Sequence, residues 1–133
     1  MQYLILIYDE ETANPSPEPP DPTLWGEILG QYNAYTEMLK STGAFIAGEA
    51  LQPVTTATTL RQKDGQTITT DGPFAETKEG LGGFYLIDAP DLDAALALAA
   101  QCPGVRLGSI EVRPVVDFEA AEGSMSTAAS SAN

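Results

Sequence analysis

The segment Tyr3 to Tyr8 reads Tyr-Leu-Ile-Leu-Ile-Tyr, apolar at successive positions and therefore apolar on both faces of a strand. Such a strand belongs in the middle of a sheet whose two faces are both covered. Asp9 to Pro22 changes character completely. It is acidic and proline-rich, which predicts an extended connection rather than an element. Helical spacing then sets in, with Leu24, Ile28, Tyr32, Tyr35 and Leu39 on one stripe flanked by Trp25, Leu29 and Met38. The helix is expected to start at Asp21 or Thr23, with Pro22 tolerated in the first turn, and to stop at Gly43.

The pattern returns to strands at Phe45 to Leu51. Ala57 to Gln62 and Thr67 to Thr70 are threonine-rich and separated by Lys63-Asp64-Gly65-Gln66. An Asp-Gly pair between β-favouring runs predicts a tight hairpin. Gly83 to Asp88 gives a further strand. Asp91 caps a second helix that turns Leu92, Ala95, Leu96 and Ala99 inward, and Cys102-Pro103-Gly104 ends it. Leu107 to Val115 is the last expected strand. From Phe118 the chain is mostly Ala, Ser, Glu, Gly and Thr, too poor in apolar surface to offset the entropy of ordering, so residues 117–133 are expected to form a flexible tail.

The resulting order is β-α-β, a hairpin excursion, then β-α-β. Two helices on one face of an antiparallel sheet make a ferredoxin-like α+β domain over residues 1–116. Both side-chain sets of the first strand are apolar, so the face without helices also needs cover. A homodimer joined through that face is the expected solution.

Composition removes several kinds of function. The 133 residues contain 19 acidic and 6 basic side chains and no histidine, for a net charge of −13. The basic residues are scattered rather than clustered, which argues against nucleic acid and anionic membranes as partners. No apolar run approaches the roughly 20 residues that span a bilayer. The Met1-Gln2-Tyr3-Leu4 start lacks the basic leader of a signal peptide, so a soluble cytoplasmic protein is expected. The absence of imidazole excludes Cys-His and Ser-His nucleophile pairs, and with the single sulfhydryl of Cys102 it argues against a zinc site. No cofactor is expected.

Chemistry-bearing residues gather where charge interrupts the strand pattern. Asp71 enters the run Asp71-Gly72-Pro73-Phe74-Ala75-Glu76-Thr77-Lys78-Glu79, where Gly72 permits an unusual backbone angle and Pro73 fixes the next one. A carboxylate aimed in this way beside Phe74 suits a general acid or base, and it equally suits a turn stabilised by backbone hydrogen bonds. Glu49 sits in mid-strand and needs a partner or an open cleft. Arg61 and Arg113 also lie in strands, which suggests Glu49–Arg61 or Asp71–Arg113 ion pairs, or an arginine fork for a small anion. Glu76, Lys78 and Glu79 are placed to form a lid, or a solvated loop. Tyr8, ending the first strand, is the aromatic placed to offer a site hydroxyl, while Tyr32, Tyr35 and Trp25 are expected to pack.

These residues resemble the YCII-related proteins that carry a DGPF motif. The likeness rests on Gly48-Glu49-Ala50-Leu51-Gln52-Pro53, Thr58-Thr59-Leu60-Arg61, Asp71 to Glu79, Leu81-Gly82-Gly83-Phe84-Tyr85 and Glu111-Val112-Arg113-Pro114, in order from Met1 to about Val116. The resemblance implies a dimeric α/β-barrel type of ferredoxin-like fold, similar to that of muconolactone-isomerase-type proteins. Members are often encoded beside sigma factors of the extracytoplasmic-function type, which implies a possible regulatory role. The wider superfamily is associated with a His-Asp pair in a cleft; without histidine only an acidic half carries over, and Asp71 is the matching carboxylate. The expected function is accordingly a small-molecule-binding dimer for an anionic or carbonyl ligand. Asp71 or Glu49 would be the base and Arg61, Arg113, Tyr8, Phe74 and Glu76 the binding residues of a cofactor-free isomerase or lyase. The alternative is a non-catalytic interaction module linked to sigma-factor-dependent transcription.

Overall fold

In a computed structural model of the chain, residues 1–9, 22–72 and 80–119 are described. The acidic proline-rich connection, Phe74 and Glu76 with the rest of the 73–79 stretch, and the tail from residue 120 lie outside the described residues. The elements are β1 (Gln2–Asp9), α1 (Pro22–Ser41), β2 (Phe45–Ala50), a 3-10 turn (Val54–Thr56), β3 (Thr58–Lys63), β4 (Gln66–Asp71), β5 (Gly80–Asp88), α2 (Leu92–Ala99), α3 (Gly104–Leu107) and β6 (Ser109–Pro114). Four strands form one sheet in the order β2-β5-β1-β6, with every neighbouring pair antiparallel. That order places each helix-linked pair, β1 with β2 and β5 with β6, around one intervening strand and is the ferredoxin-like α+β arrangement. β3 and β4 form a separate two-stranded sheet.

The apolar run of β1 explains its central position. Tyr3, Ile5 and Ile7 point to the helices and are buried, whereas Leu4 and Leu6 on the other face are half-buried. β5 continues both rows: Tyr85 and Ile87 join the buried side, and Phe84 and Leu86 stand opposite Leu6 and Leu4 on the open side. α1 contributes Tyr35 and Leu39 to the core, and α2 contributes Ala95 and Ala99. Ile5, Leu39 and Ile87 are wholly buried, each stabilising the fold by about 1.5–3 kcal/mol. The Tyr35 and Tyr85 rings meet edge to face at 5.3 Å. Their hydroxyls are satisfied: Tyr35 donates to the Leu98 carbonyl at 2.9 Å and Tyr85 shares a 2.8 Å bond with Thr36.

The helix ends follow local chemistry. Asp91 Oδ1 accepts the Ala94 N–H at 2.8 Å, a cap contributing about 1 kcal/mol. Gly43 takes φ +78° directly after α1, the left-handed residue expected there. The hairpin turn also forms as expected, with Asp64 and Gly65 at φ 51° and 78° between the paired Lys63 and Gln66.

Several expectations need correction. α1 does not bury its whole stripe: Leu24, Trp25 and Leu29 in its first half are exposed. In α2 Ala95 and Ala99 are buried and Ala94 and Leu98 pack against the core, while Leu92 and Leu96 are exposed. β5 starts at Gly80 rather than Gly83, and β1 runs on to Asp9. The chain after α2 makes the short helix α3, so β6 begins at Ser109 rather than Leu107.

Candidate acid–phenol site at the end of the first strand

The alternation of β1 decides which side chains meet the helix layer. Beyond the buried Tyr3, Ile5 and Ile7, the same row ends in Asp9, which places a carboxylate at the rim of the core. A β-bulge sits at this point: Ile7 pairs with Gly83 and Tyr8 with Leu81, leaving Gly82 as the extra residue on β5, and Asp9 then pairs with Gly80. Bulges bend a strand and re-aim its side chains. Here the carboxylate lies against Gly82, where a Cβ would stand 2.7 Å from Asp9 Oδ2. Gly108 closes the other side, passing the Tyr8 carbonyl oxygen so closely that a Cβ would overlap it. A side chain at position 108 would displace the end of β1, and one at position 82 would displace the Asp9 carboxylate.

Tyr32 of α1 stands over the same rim. A Cβ on buried Gly104 would lie 3.1 Å from Tyr32 Oη and 3.0 Å from Ile7 Cγ2, which locates the phenol above the Ile7–Asp9 row. The hydroxyl shares a hydrogen bond with the Cys102 thiol. Burial, with Cys102, Tyr85 and Asp9 in descending order, pushes the Tyr32 phenol up to about 12, so it stays protonated and able to donate. Burial likewise pushes the Cys102 thiol up, against smaller opposing effects of the Gly104 backbone and Tyr32. The group is therefore a carboxylate, a neutral phenol and a neutral thiol within electrostatic reach of one another. Arg106 fixes this corner, donating from Nη2 to Gln31 Oε1 at 2.8 Å and so tying α3 to α1 beside Tyr32.

The sequence-derived site residues fall into separate places. Glu49 pairs with Phe84 and Arg113 with Leu4, so both lie on the open sheet face, exposed and on opposite edges of the sheet. Tyr8 is the penultimate residue of β1 rather than its end, and it points to that open face, away from Asp9. Asp71 and Arg61 belong to the hairpin. Asp71 is opposite Thr58 and Arg61 opposite Ile68, which puts the two side chains on opposite faces of it. Arg113 Nε lies 3.6 Å from Glu111 Oε1, not beside Asp71. Among the described residues, the ion pairs do not include Glu49–Arg61. Among the described residues no group of His, Cys, Asp and Glu is arranged to hold a metal ion.

Sequence reasoning missed Asp9 because it ended the first strand one residue early and assigned the acid to the following loop. Two signals were present. Strict alternation puts residue 9 on the row of Tyr3, Ile5 and Ile7, and Gly82-Gly83 is a pair of small residues suited to a bulge. The half-buried ring of Tyr32 packs as its helical spacing predicts, and its hydroxyl approaches the backbone at Gly104, which no local pattern signals.

The chain thus folds as a ferredoxin-like domain that carries an acid–phenol cluster near the end of its first strand. The chain belongs to the YCII-related family: the YCII-related domain matches residues 1–119. An uncharacterised protein of Rhizobium meliloti is 38% identical over 125 residues, covering 92% of this chain and 98% of that one. Among solved structures, the chain is similar to the 5-chloro-2-hydroxyhydroquinone dehydrochlorinase of Burkholderia phenoliruptrix in complex with 2,5-dihydroxybenzoquinone. The two share 18% identity with a TM-score of 0.47, over 87% of this chain and 94% of that one, a likeness that carries nothing about the site.

Proposed function

We propose that this YCII-related protein is a homodimeric, cytoplasmic enzyme that performs cofactor-free proton transfer on a small carbonyl-bearing molecule, with Asp9 as the general base. The observation that carries this reading is the placement of the Asp9 carboxylate. It continues the buried row of β1, is re-aimed by a bulge, and rests in space kept open by Gly82. A carboxylate at the edge of an apolar layer is held in one direction and partly shielded from water, the conditions under which it abstracts a proton effectively. Gly80, the first residue of β5, pairs with Asp9. The half-buried Leu4, Leu6, Phe84 and Leu86 on the open face support the dimer.

The test is a screen of small ketones and keto acids in deuterated water, with exchange of the α-proton followed by NMR. Exchange should be abolished by Asp9→Asn and retained in Asp71→Asn and Glu49→Gln. Full exchange in Asp9→Asn, or exchange with no compound, would overturn the assignment.

A second reading is an interaction module acting in transcriptional regulation, and the exposed Leu24, Trp25 and Leu29 on the first half of α1 favour it. Under that reading Trp25→Ser and Leu29→Ser abolish partner binding, whereas Asp9→Asn leaves it intact.

A further inference from the structure

Among the described residues the two sheets end in four strand edges, those of β2, β6, β3 and β4, and three of them are guarded against pairing with a foreign strand. β2 has an irregular register between Phe45 and Ala47 and carries the exposed Glu49. β6 carries Glu111, Arg113 and Pro114, and β3 carries Arg61 and Lys63. Charges, proline and bulges are the devices that keep an edge from joining another sheet. The outer edge of β4 has none of them between Gln66 and Thr70. Its register with β3 is regular, and Thr67, Ile68, Thr69 and Thr70 are an unbroken β-branched run. Every residue of β4 is exposed, and a two-stranded hairpin standing by itself is marginally stable at best. The turn decides which backbone groups are on offer. Across the two-residue loop Asp64-Gly65, Lys63 and Gln66 exchange both of their backbone hydrogen bonds, so Ile68 and Thr70 also turn theirs towards β3. Thr67, Thr69 and Asp71 therefore direct their N–H and C=O groups outward.

We propose that the β4 edge is a self-association site, filled by β4 of a second copy of this chain running antiparallel about a two-fold axis at Thr69. In that register Thr69 pairs with its counterpart and Thr67 of each copy pairs with Asp71 of the other, so every outward backbone group of both strands is used. Charge favours a second copy as the occupant. The hairpin sets Arg61 and Lys63 against Asp64 and Asp71 and is neutral, within a chain of net charge −13. Two copies repel over most of their surface and can approach at the hairpin without that repulsion. Side chains fit as well. Leu60 is 66% exposed and stands opposite Thr69 in each hairpin, so the joined sheet carries a cross-strand row Leu60-Thr69-Thr69-Leu60. The inference does not depend on Asp9. It also uses a different surface from the dimer through the open sheet face, which involves Leu4, Leu6, Phe84 and Leu86.

Sedimentation of the full chain over a concentration series tests this. The wild-type mass should rise with concentration to about twice that of Thr69→Pro, which removes an outward N–H and leaves the β3–β4 ladder intact. Gln62→Pro removes the outward N–H at a matching place on the guarded β3 edge and should associate as the wild type does. Far-UV circular dichroism and thermal melting report whether each variant is folded. Thr69→Lys sets two like charges opposite each other on the axis; it should halve the mass too, and it takes the place of the proline variant if that one does not fold. Equal masses for the wild type and the position 69 variant overturn the proposal, whether the edge is then bare or taken by a strand of another protein. Halving by Gln62→Pro as well as Thr69→Pro overturns it also, since that result reports loss of the hairpin rather than of one edge. The factor of two is read in the same way whether or not the open sheet face joins a further copy, so failure here is distinct from failure of that dimer.

Discussion

The β3–β4 hairpin and the rim of the four-stranded sheet hold the two sets of acidic residues that could do chemistry, and they hold them differently. Every hairpin residue except Thr59 is exposed, and Asp71 and Arg61 project from opposite faces into solvent. At the rim, Asp9 continues a buried row, packs on Gly82 and lies below a phenol whose proton is retained. Charge density along the sequence draws attention to the hairpin and the segment after it. Reactivity depends instead on a fixed direction and on limited water, and those come from packing.

The largest effect that sharpens this contrast is on catalysis. Replacing Asp9 by Asn should lower α-proton exchange about a hundred- to ten-thousandfold, the range expected for loss of a general base. Asp71→Asn should change the same rate by less than about twofold, since an exposed hairpin carboxylate acts only through weak, screened interactions. NMR exchange rates on the three proteins measure both. Equal losses would erase the distinction between rim and hairpin.

Stability separates the regions next. Ile87 is wholly buried, and Ile87→Ala should destabilise the domain by about 2–5 kcal/mol in urea unfolding. Ile68 on the hairpin is 41% exposed, and Ile68→Ala should cost less than about 0.5 kcal/mol. A hairpin cost as large as that of the core would mean that β3–β4 packs into the same cooperative unit.

Alkaline pH should also act on the sheet and its helices rather than on the hairpin. Tyr32 is raised from the ordinary 10.0 to about 12, and Tyr35 and Tyr85 are raised too, chiefly by burial. A raised folded-state value means that the native protein holds its phenol protons where the unfolded chain has released them. Below pH 10.0 both states are protonated and the contribution is intact; as pH climbs from there through about 12, unfolding is progressively favoured. The Tyr32 share of that loss is reduced by solvent screening, because its ring is only half-buried. Tyr32→Phe should flatten the alkaline limb of stability against pH, measured by urea midpoints. A limb unchanged by this substitution would show that Tyr32 is not shielded in solution.

Much of this fold is legible in the sequence because it depends on local alternation. The two-sided apolar run of β1, the Asp-Gly hairpin, the Asp91 cap and Gly43 each name their own structure, and the antiparallel order follows from them. The site was less legible for a physical reason. The surroundings of Asp9 and Tyr32 are set by glycines at positions 82, 104 and 108, distant in the sequence and meaningful only once the chain is folded. The expected pairing of Asp71 with Arg113 failed because pairing depends on register. Arg113 lies on β6 beside its own-strand neighbour Glu111, and Asp71 lies on a different sheet. The inward placement of Leu92 and Leu96 failed similarly, since helical periodicity defines a stripe but the closeness of the sheet selects which edge of it is buried.

The smallest effect tests what remains for the Asp71-Gly72 pair. Gly72 takes φ +100°, a conformation that L side chains rarely adopt, and nothing lies within 4 Å of a Cβ added there. Its N–H donates to the Ala57 carbonyl at 2.7 Å, and Thr59 Oγ1 donates to its carbonyl at 2.8 Å. The turn is therefore pinned from both sides by the hairpin, and its cost of substitution comes from backbone strain alone. Gly72→Ala should destabilise by about 1 kcal/mol, read from urea midpoints. If this turn only closes the hairpin, α-proton exchange should be unchanged in the variant. If its backbone also supports the site, exchange should slow while the stability loss stays small, and the hairpin would then contribute through its backbone rather than through the Asp71 carboxylate.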